Sequence, residues 1–398
     1  MTKYLIVGDI HLGKGLSIGK PGIGNALNSR VVDQVKLLDW VIDQAIDNNV
    51  ESVIITGDIC EDPKPDYALI DIFLEFLKRL EIYNINVEII VGNHDIKRTG
   101  SYYRSFLDLI TTADISSVYV HKYVNTIIKK DVGFTLLPFR DRRSLKCKTD
   151  KEAFSKISSL LTYELECIPN DSDRILIGHL AIEGSIFVGD EIDNQSNELM
   201  CPLDTFEGYD YVWMGHVHKP QVCSKDPYIA HVGSLDISDF GEMDHQKIVI
   251  LYDTESKFKE IKVPSRPLRK IHIDVPEGFS PTSYVINHIS AIDKTTPLKN
   301  SIVRVDIKLL DEDADNIDRK EIEECIYNLD AYYICNLSES RNISVIAMDD
   351  YHDIDNKVDT KAAIKIWAKY EKFDDDDEKN NCINLANKFV DRYDERYN

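Results

Sequence analysis

Hydrophobic residues along the first hundred positions alternate between short continuous runs and helical spacing. Residues 3 to 8 (KYLIVG) form an apolar run that predicts a strand. From Ser29 to Asn48 the apolar positions Val32, Val35, Leu38, Val41, Ile42, Ala45 and Ile46 recur at intervals that predict a helix. Ser52 to Thr56 reads as a second strand, Tyr67 to Leu80 as a second helix, and Val87 to Val91 as a third strand. Alternation of this β-α-β-α-β kind predicts a mostly parallel sheet covered by helices.

After Asp95 the pattern loosens into shorter strands, including Asn125 to Lys129 and Phe134 to Pro138, followed by a helix from Lys151 to Leu165. Further strands at Arg174 to Ile177, Tyr211 to Met214, Tyr228 to His231 and Lys247 to Asp253 complete a first domain, residues 1–265. Residues 266–345 repeat β-α-β-α-β on a smaller scale and predict a second domain with its own core. Residues 346–359 read as a linker. Residues 360–398 read as two helical segments separated by Asp374 to Asp377. Such a pair is too small to bury both its faces. It needs a surface to dock on, either its own main body or another protein.

Composition narrows the class. The chain has 398 residues, 43% of them hydrophobic, which suits a globular protein of two or three domains. The amino terminus enters a strand without the features of a secretory leader, and no apolar run approaches the roughly 18 residues of a membrane span. The expectation is a soluble cytoplasmic protein with no membrane partner. Cys60, Cys147, Cys167, Cys201, Cys223, Cys325, Cys335 and Cys382 form no CxxC pair and read as reduced structural thiols. The formal net charge of -22 opposes non-specific attraction to nucleic acid. Charge is unevenly placed, however: Asp374 to Glu378 is solidly acidic, while Lys97-Arg98, Arg140 to Arg143 and Arg266 to Lys270 are basic.

The chemistry lies where the apolar runs stop. Asp9-x-His11, Gly57-Asp58, Gly92-Asn93-His94-Asp95, Gly178-His179 and Gly215-His216-x-His218 each follow a predicted strand, where open α/β sheets place their sites. Carboxylate and amide oxygens mixed with imidazoles suit divalent manganese, iron or zinc, and the lack of thiolates argues against a structural zinc site. One such histidine alone would more often be a structural residue; five segments in series point to a metal site. The Gly-rich stretch from Gly13 to Gly24 reads as a loop and not as a phosphate-binding P-loop, since Gly19-Lys20 is followed by Pro21.

This series resembles that of the calcineurin-like metallophosphoesterases. The likeness implies an α/β sandwich of two mixed sheets flanked by helices, with two-metal hydrolysis of phosphate esters. Carried over residue by residue, it implies that Asp9, His11 and His218 hold one metal, that Asn93, His179 and His216 hold the other, and that Asp58 bridges them. His94 is left unligated, beside the scissile phosphate, to protonate the leaving oxygen. In similar enzymes the position of Glu61 often carries a partner for that histidine, so Glu61 is read as an orienter of His94; an exposed loop acid is the alternative. Asp95 takes a supporting role that the sequence does not specify.

Within the superfamily, Asp9-Ile-His-Leu-Gly13, Gly233-Ser-Leu-Asp-Ile-Ser-Asp-Phe-Gly241, and the small domain followed by helices are similar to SbcD-type nuclease subunits and their meiotic recombination counterparts. That likeness implies a manganese-dependent DNA exonuclease and endonuclease. It implies a homodimer within a heterotetramer, partnered by an SbcC-like coiled-coil ATPase that holds the terminal helices, with residues 266–345 as a DNA-capping domain. Some relatives are phage-encoded, for which the location would be the host cytoplasm. Two other readings share parts of this evidence: a cyclic-nucleotide or small phosphoester hydrolase with the same site, and a non-catalytic scaffold joining DNA to an ATPase.

Overall fold

The apolar runs become strands that are covered on both faces. In β1 (Lys3–Val7) Leu5 and Val7 pack beneath helices, while Tyr4 and Ile6 pack between two sheets. Side chains of a strand alternate sides, so a run without polar breaks records two apolar environments. The structure is a computed structural model describing residues 2–342 apart from 25, 100–101, 114, 190–198 and 311–315, and beyond them 361, 364–365, 367–368 and 376–397.

Helix α1 (Ser29–Asp47) begins where the Asn28 side chain accepts the Arg30 amide at 2.9 Å, and α2 (Tyr67–Ile82) where Asp66 accepts the Ala68 amide at 2.8 Å. Each cap contributes about 1 kcal/mol by satisfying an amide that has no partner within the helix. The inner faces of the two helices, including Leu38, Val41, Ile42, Phe73 and Leu77, are buried against the sheet.

The strands β2 (Ser52–Ile55) and β3 (Asn86–Ile90) continue the sheet parallel to β1, and Val118–His121 adds a fourth parallel strand. Ile248–Asp253 and Lys257–Lys262 extend the other edge in antiparallel pairing. A second six-stranded sheet runs Gln221–Lys225, Tyr228–His231, Tyr211–Gly215, Asp173–His179, Val132–Leu137, Asn125–Lys129, with its central four strands parallel. The two sheets face each other across Tyr4, Ile6, Ile54, Phe134, Ile177 and Trp213. Helix Asp150–Leu165, opened by a Thr149–Glu152 capping box, covers the outer face of the second sheet through Ala153, Ile157 and Leu161. This is the mixed-sheet α/β sandwich that the family resemblance implies.

The stretch after Asp95 is more ordered than its pattern suggests. It holds the hairpin Ile96–Thr99 with Tyr102–Ser105, the short helix Leu107–Ala113 and the edge strand Val118–His121. These elements have four to seven residues and lack a long buried run, so periodicity could not separate them from loop.

A further β-α-β-α-β series follows as Leu268–Asp274, Pro281–Asp293, Ile302–Leu310, Arg319–Asn328 and Tyr333–Asn342. Its three strands form one sheet over a core that includes Ile271, Val285, Ile289, Val305 and Ile322. Beyond it, Asp376–Tyr397 is a helix that starts within the acidic run expected to separate two helices. Residues 346–359 lie outside the described residues, as does most of the first expected helix, of which 361, 364–365 and 367–368 are described and helical. Among the described residues no helix is long and apolar enough to cross a membrane.

Candidate metal centre

The two sheets bring their strand ends to one place. Asp9 and His11 leave β1, Asp58 leaves β2, Asn93 leaves β3, and His179 and His216 stand at the ends of two neighbouring strands of the second sheet. The backbone turns sharply here: His11, Asp58 and His216 have φ values of 49°, 48° and 82°. A left-handed conformation costs a residue with a Cβ of order 1–3 kcal/mol, and the surrounding packing must hold it. Gly92 allows a close approach, since a Cβ there would lie 2.1 Å from Asp58 Oδ1.

The expected donors form two groups with Asp58 between them. Asp9, His11 and His218 present atoms within 4.8 Å of one another, as do Asp58, His179 and His216. Asn93 Oδ1 joins the second group, 2.8 Å from His179 Nε2 and 2.9 Å from His216 Nδ1. Asp58 Oδ2 lies 3.2 Å from His179 Nε2 and 3.6 Å from His11 Nε2.

The chemistry of these atoms fits a cation. His218 Nδ1 faces the Glu242 carboxylate at 3.0 Å, and His11 Nδ1 faces that of Glu61 at 2.8 Å. The hydrogen bond to Glu242 assigns the His218 proton to Nδ1, and at His11 the nearby Glu61 charge favours a proton on Nδ1 although the two atoms do not form a hydrogen bond. The two Nε2 lone pairs then face each other at 3.0 Å. Such a contact is repulsive unless a positive charge lies between the nitrogens. Burial and the neighbouring His218 resist placing it on the His11 ring, whose pKa is lowered.

The second group shows the same demand. His179 Nδ1 is held by the Thr56 carbonyl at 2.8 Å, which aims Nε2 at two oxygen acceptors. Burial opposes charging this ring, but Asp58 and Asp9 outweigh it and push its pKa up to about 10. A proton or a metal ion can answer that demand. Asp58 is itself held well below the usual carboxylate range, because His179, His11 and His94 outweigh its burial.

His94 belongs to neither of these groups but presents an atom within 4.8 Å of donor atoms of His11 and Asp58; it is partly exposed, with its ring centroid 4.9 Å from that of His11. Its amide donates to Asp58 Oδ1 at 2.8 Å, and Nδ1 lies 2.7 Å from the main-chain carbonyl of Glu61. With Nδ1 engaged, Nε2 is the atom left for proton transfer. The expected contact from Glu61 is therefore redistributed. Its carboxylate stands 3.9 Å from His94 Nδ1 and only 2.8 Å from His11 Nδ1, so the main chain orients His94 while the side chain faces a candidate ligand. Burial resists protonation of His94, yet Asp58 and the Glu61 carbonyl raise its pKa above the ordinary value.

Asp95 now has a definite place. Fully buried, it accepts the Ile59 amide on Oδ1 and the Gly92 amide on Oδ2, both at 2.9 Å. One carboxylate thus clamps the loop carrying Asp58 to the loop carrying Asn93.

Sequence reasoning missed Glu242 and Lys247. Glu242 accepts from Lys247 at 2.9 Å, and the Lys247 ammonium also donates to the His218 carbonyl at 2.9 Å and Ser234 Oγ at 2.7 Å. Both side chains are buried. Glu242 directly follows the Gly233–Gly241 segment, but nothing in a separation of 24 residues pairs it with His218.

A family model of calcineurin-like phosphoesterases matches residues 2–220. Similar solved structures include a dimetal phosphatase from Danio rerio, with 11% identity and a TM-score of 0.38, covering 66% of this chain and 98% of that one. Another is the purple acid phosphatase PPD1 from yellow lupin seeds, with 15% identity and a TM-score of 0.43, covering 66% of this chain and 51% of that one. The matched segment contains every donor of the two groups, Asp9 through His218, and spans more than half of the sequence. By that match the chain belongs to the calcineurin-like phosphoesterase family, whose chemistry is metal-dependent hydrolysis of phosphoesters.

Proposed function

We propose that this phosphoesterase is a DNA nuclease of the SbcD type, using manganese and acting with an SbcC-like ATPase in DNA end processing. The observation that carries the hydrolytic part is the pair of imidazole Nε2 atoms facing each other at 3.0 Å beside a carboxylate shared with a second donor group. DNA as substrate is supported by the Gly233–Gly241 segment and by the β-α-β-α-β series after residue 265, which a small ester would not require.

In this reading Asp9, His11 and His218 hold one cation, Asn93, His179 and His216 the other, and Asp58 both. Bound there, two divalent cations supply Lewis acidity for water activation and neutralise charge on the phosphate. The chain's own residues do the rest. Glu242 and the Thr56 carbonyl fix the ring orientations of His218 and His179, and the Glu61 carboxylate places a negative charge 2.8 Å from His11 Nδ1. Asp95 holds Asp58 and Asn93 in register. His94, its Nδ1 fixed on Glu61, gives a proton from Nε2 to the departing oxygen.

Manganese-dependent cleavage of a DNA duplex, compared with hydrolysis of cyclic nucleotides, tests the substrate. Turnover of DNA that Asp58→Asn abolishes is the expected result. Turnover confined to the cyclic nucleotides would instead favour the small-ester reading. The segment at residues 360–398 is assigned to the ATPase, and its deletion should abolish co-purification of the two proteins.

A further inference from the structure

Directly after the Gly92–Asp95 turn, the hairpin Ile96–Thr99 with Tyr102–Ser105 places Lys97 opposite Arg104. Lys64, from the loop that leaves Asp58, adds its charge to that of the hairpin. Lys64 first, and Arg104 after it, lower the pKa of the Lys97 ammonium. Among the described residues no acid pairs with any of the three. Like charges so placed repel one another, and the arrangement becomes favourable when a polyanion lies along it.

Beside this row is a cavity of about 310 Å³ whose walls include Val91, Ile96, Arg104, Lys122, Tyr123 and Phe139. Phe139 connects it to the metal centre, with ring centroids 6.1 Å from His179 and 5.9 Å from His216. Arg140 donates to the carbonyls of Phe139 and Lys122 at 2.8 and 2.7 Å, and Lys122 pairs with Asp108, which fixes the rim. Tyr123 is 79% exposed on that rim, and among the described residues no aromatic ring packs against it. The volume is at the small end of ligand clefts and suits one nucleotide-sized group.

We propose that this cavity is the subsite for an unpaired nucleotide next to the scissile phosphate, its base against Tyr123, and that Arg104, Lys97 and Lys64 take successive phosphates of the same strand. The assignment rests on the nuclease reading and adds to it a strand conformation. A base stacked in a duplex cannot enter such a cavity, so the strand is single at this point. The site also answers the net charge of -22, since a chain that repels DNA as a whole needs its cations gathered where the strand is held.

The test uses the full chain and a fluorescein-labelled oligothymidylate of about 12 nucleotides, within the span of single-strand sites. Binding is read by anisotropy in EDTA, so that cleavage does not intervene. The double variant Lys97→Ala/Arg104→Ala should weaken binding at least tenfold and reduce the slope of log K against log salt by about 1.4, or 0.7 per lost charge. Tyr123→Ala should weaken it at least about fivefold through lost stacking. Lys259→Ala/Lys262→Ala, on the opposite edge strand, changes net charge equally and should stay within about twofold if placement decides the effect. With manganese added, both site variants should lower the ratio of kcat/KM for the oligonucleotide to that for bis(4-nitrophenyl) phosphate at least tenfold. Equal losses in the edge-strand control, or an unchanged ratio, would overturn the subsite while leaving the nuclease reading in place. A wild-type chain that hydrolyses the small ester but neither binds nor cuts the oligonucleotide would overturn both.

Discussion

At the residue scale, the candidate ligands His218 and His179 are set by what holds their other nitrogen. Glu242 does this for His218, with Lys247 fixing the carboxylate in turn. Glu242→Gln keeps the volume but removes the charge that assigns the His218 proton. Manganese affinity, measured by calorimetry, should fall about 10- to 100-fold. His94 is the opposite case: it groups only with His11 and Asp58, which already serve the other two sets, and its Nδ1 is taken by the Glu61 carbonyl. His94→Ala should lower kcat at least about 100-fold, as loss of a general acid does, while metal content measured by elemental analysis is retained. Loss of both together would make His94 a ligand instead.

The residues of the site were more legible than their connections. Asp9, His11, Asp58, Asn93, His94, His179, His216 and His218 all stand at strand ends that the apolar runs predict, and the fold brings them together. Glu242 and Thr56 were not legible, because a hydrogen bond across 24 or 123 residues leaves no local trace. Glu61 was legible as a participant, and only its backbone conformation decided which atom meets His94.

At the element scale, a buried charged cluster joins the two sheets. Glu88 of β3 meets His121 at 2.7 Å and Lys129 of the second sheet at 2.9 Å. Burial pushes the Glu88 carboxyl up, but the hydrogen bonds from His121 and Lys129 outweigh it and hold the pKa below its ordinary value. A depressed carboxyl stabilises the fold above its unfolded pKa, near 4.3, and that contribution is lost as pH falls through the folded value. Glu88→Gln should therefore lower the urea midpoint at pH 7, and its deficit relative to wild type should shrink below about pH 4.3. A deficit independent of pH would assign the loss to packing. Glu88 appears in the sequence as a polar break in an apolar strand. Its cause became visible only when Asn125–Lys129 was placed in the facing sheet.

At the scale of the whole molecule, one arginine links the sandwich to the β-α-β-α-β series that follows it. Arg266 donates to both carboxylate oxygens of Asp33, at 2.8 and 2.7 Å, and to the Asn300 carbonyl at 2.9 Å. Its guanidinium lies 3.7 Å above the Tyr332 ring. Asp33 also accepts from the fully buried Arg30, which continues to Asp236 and the Ile237 carbonyl. Without Arg266, Arg30 alone faces the two buried carboxylates Asp33 and Asp236, so Arg266→Ala should cost about 1–3 kcal/mol in urea unfolding. The double variant with Asp33→Asn should cost less than the sum of the two, since both remove the same pair.

The sequence by itself determined the class of fold and the positions of the candidate metal donors. Runs with two buried faces, helical spacing and glycine turns are local properties, and parallel α/β sheets collect their strand ends on one side. Tertiary structure decided the rest. It paired His11 with His218 across 207 residues, gave Asp95 two loops to clamp, and placed a basic hairpin and a cavity beside the metal centre. These depend on the direction in which a carboxylate or ring nitrogen points after two sheets have packed, and no periodicity along a chain encodes that direction.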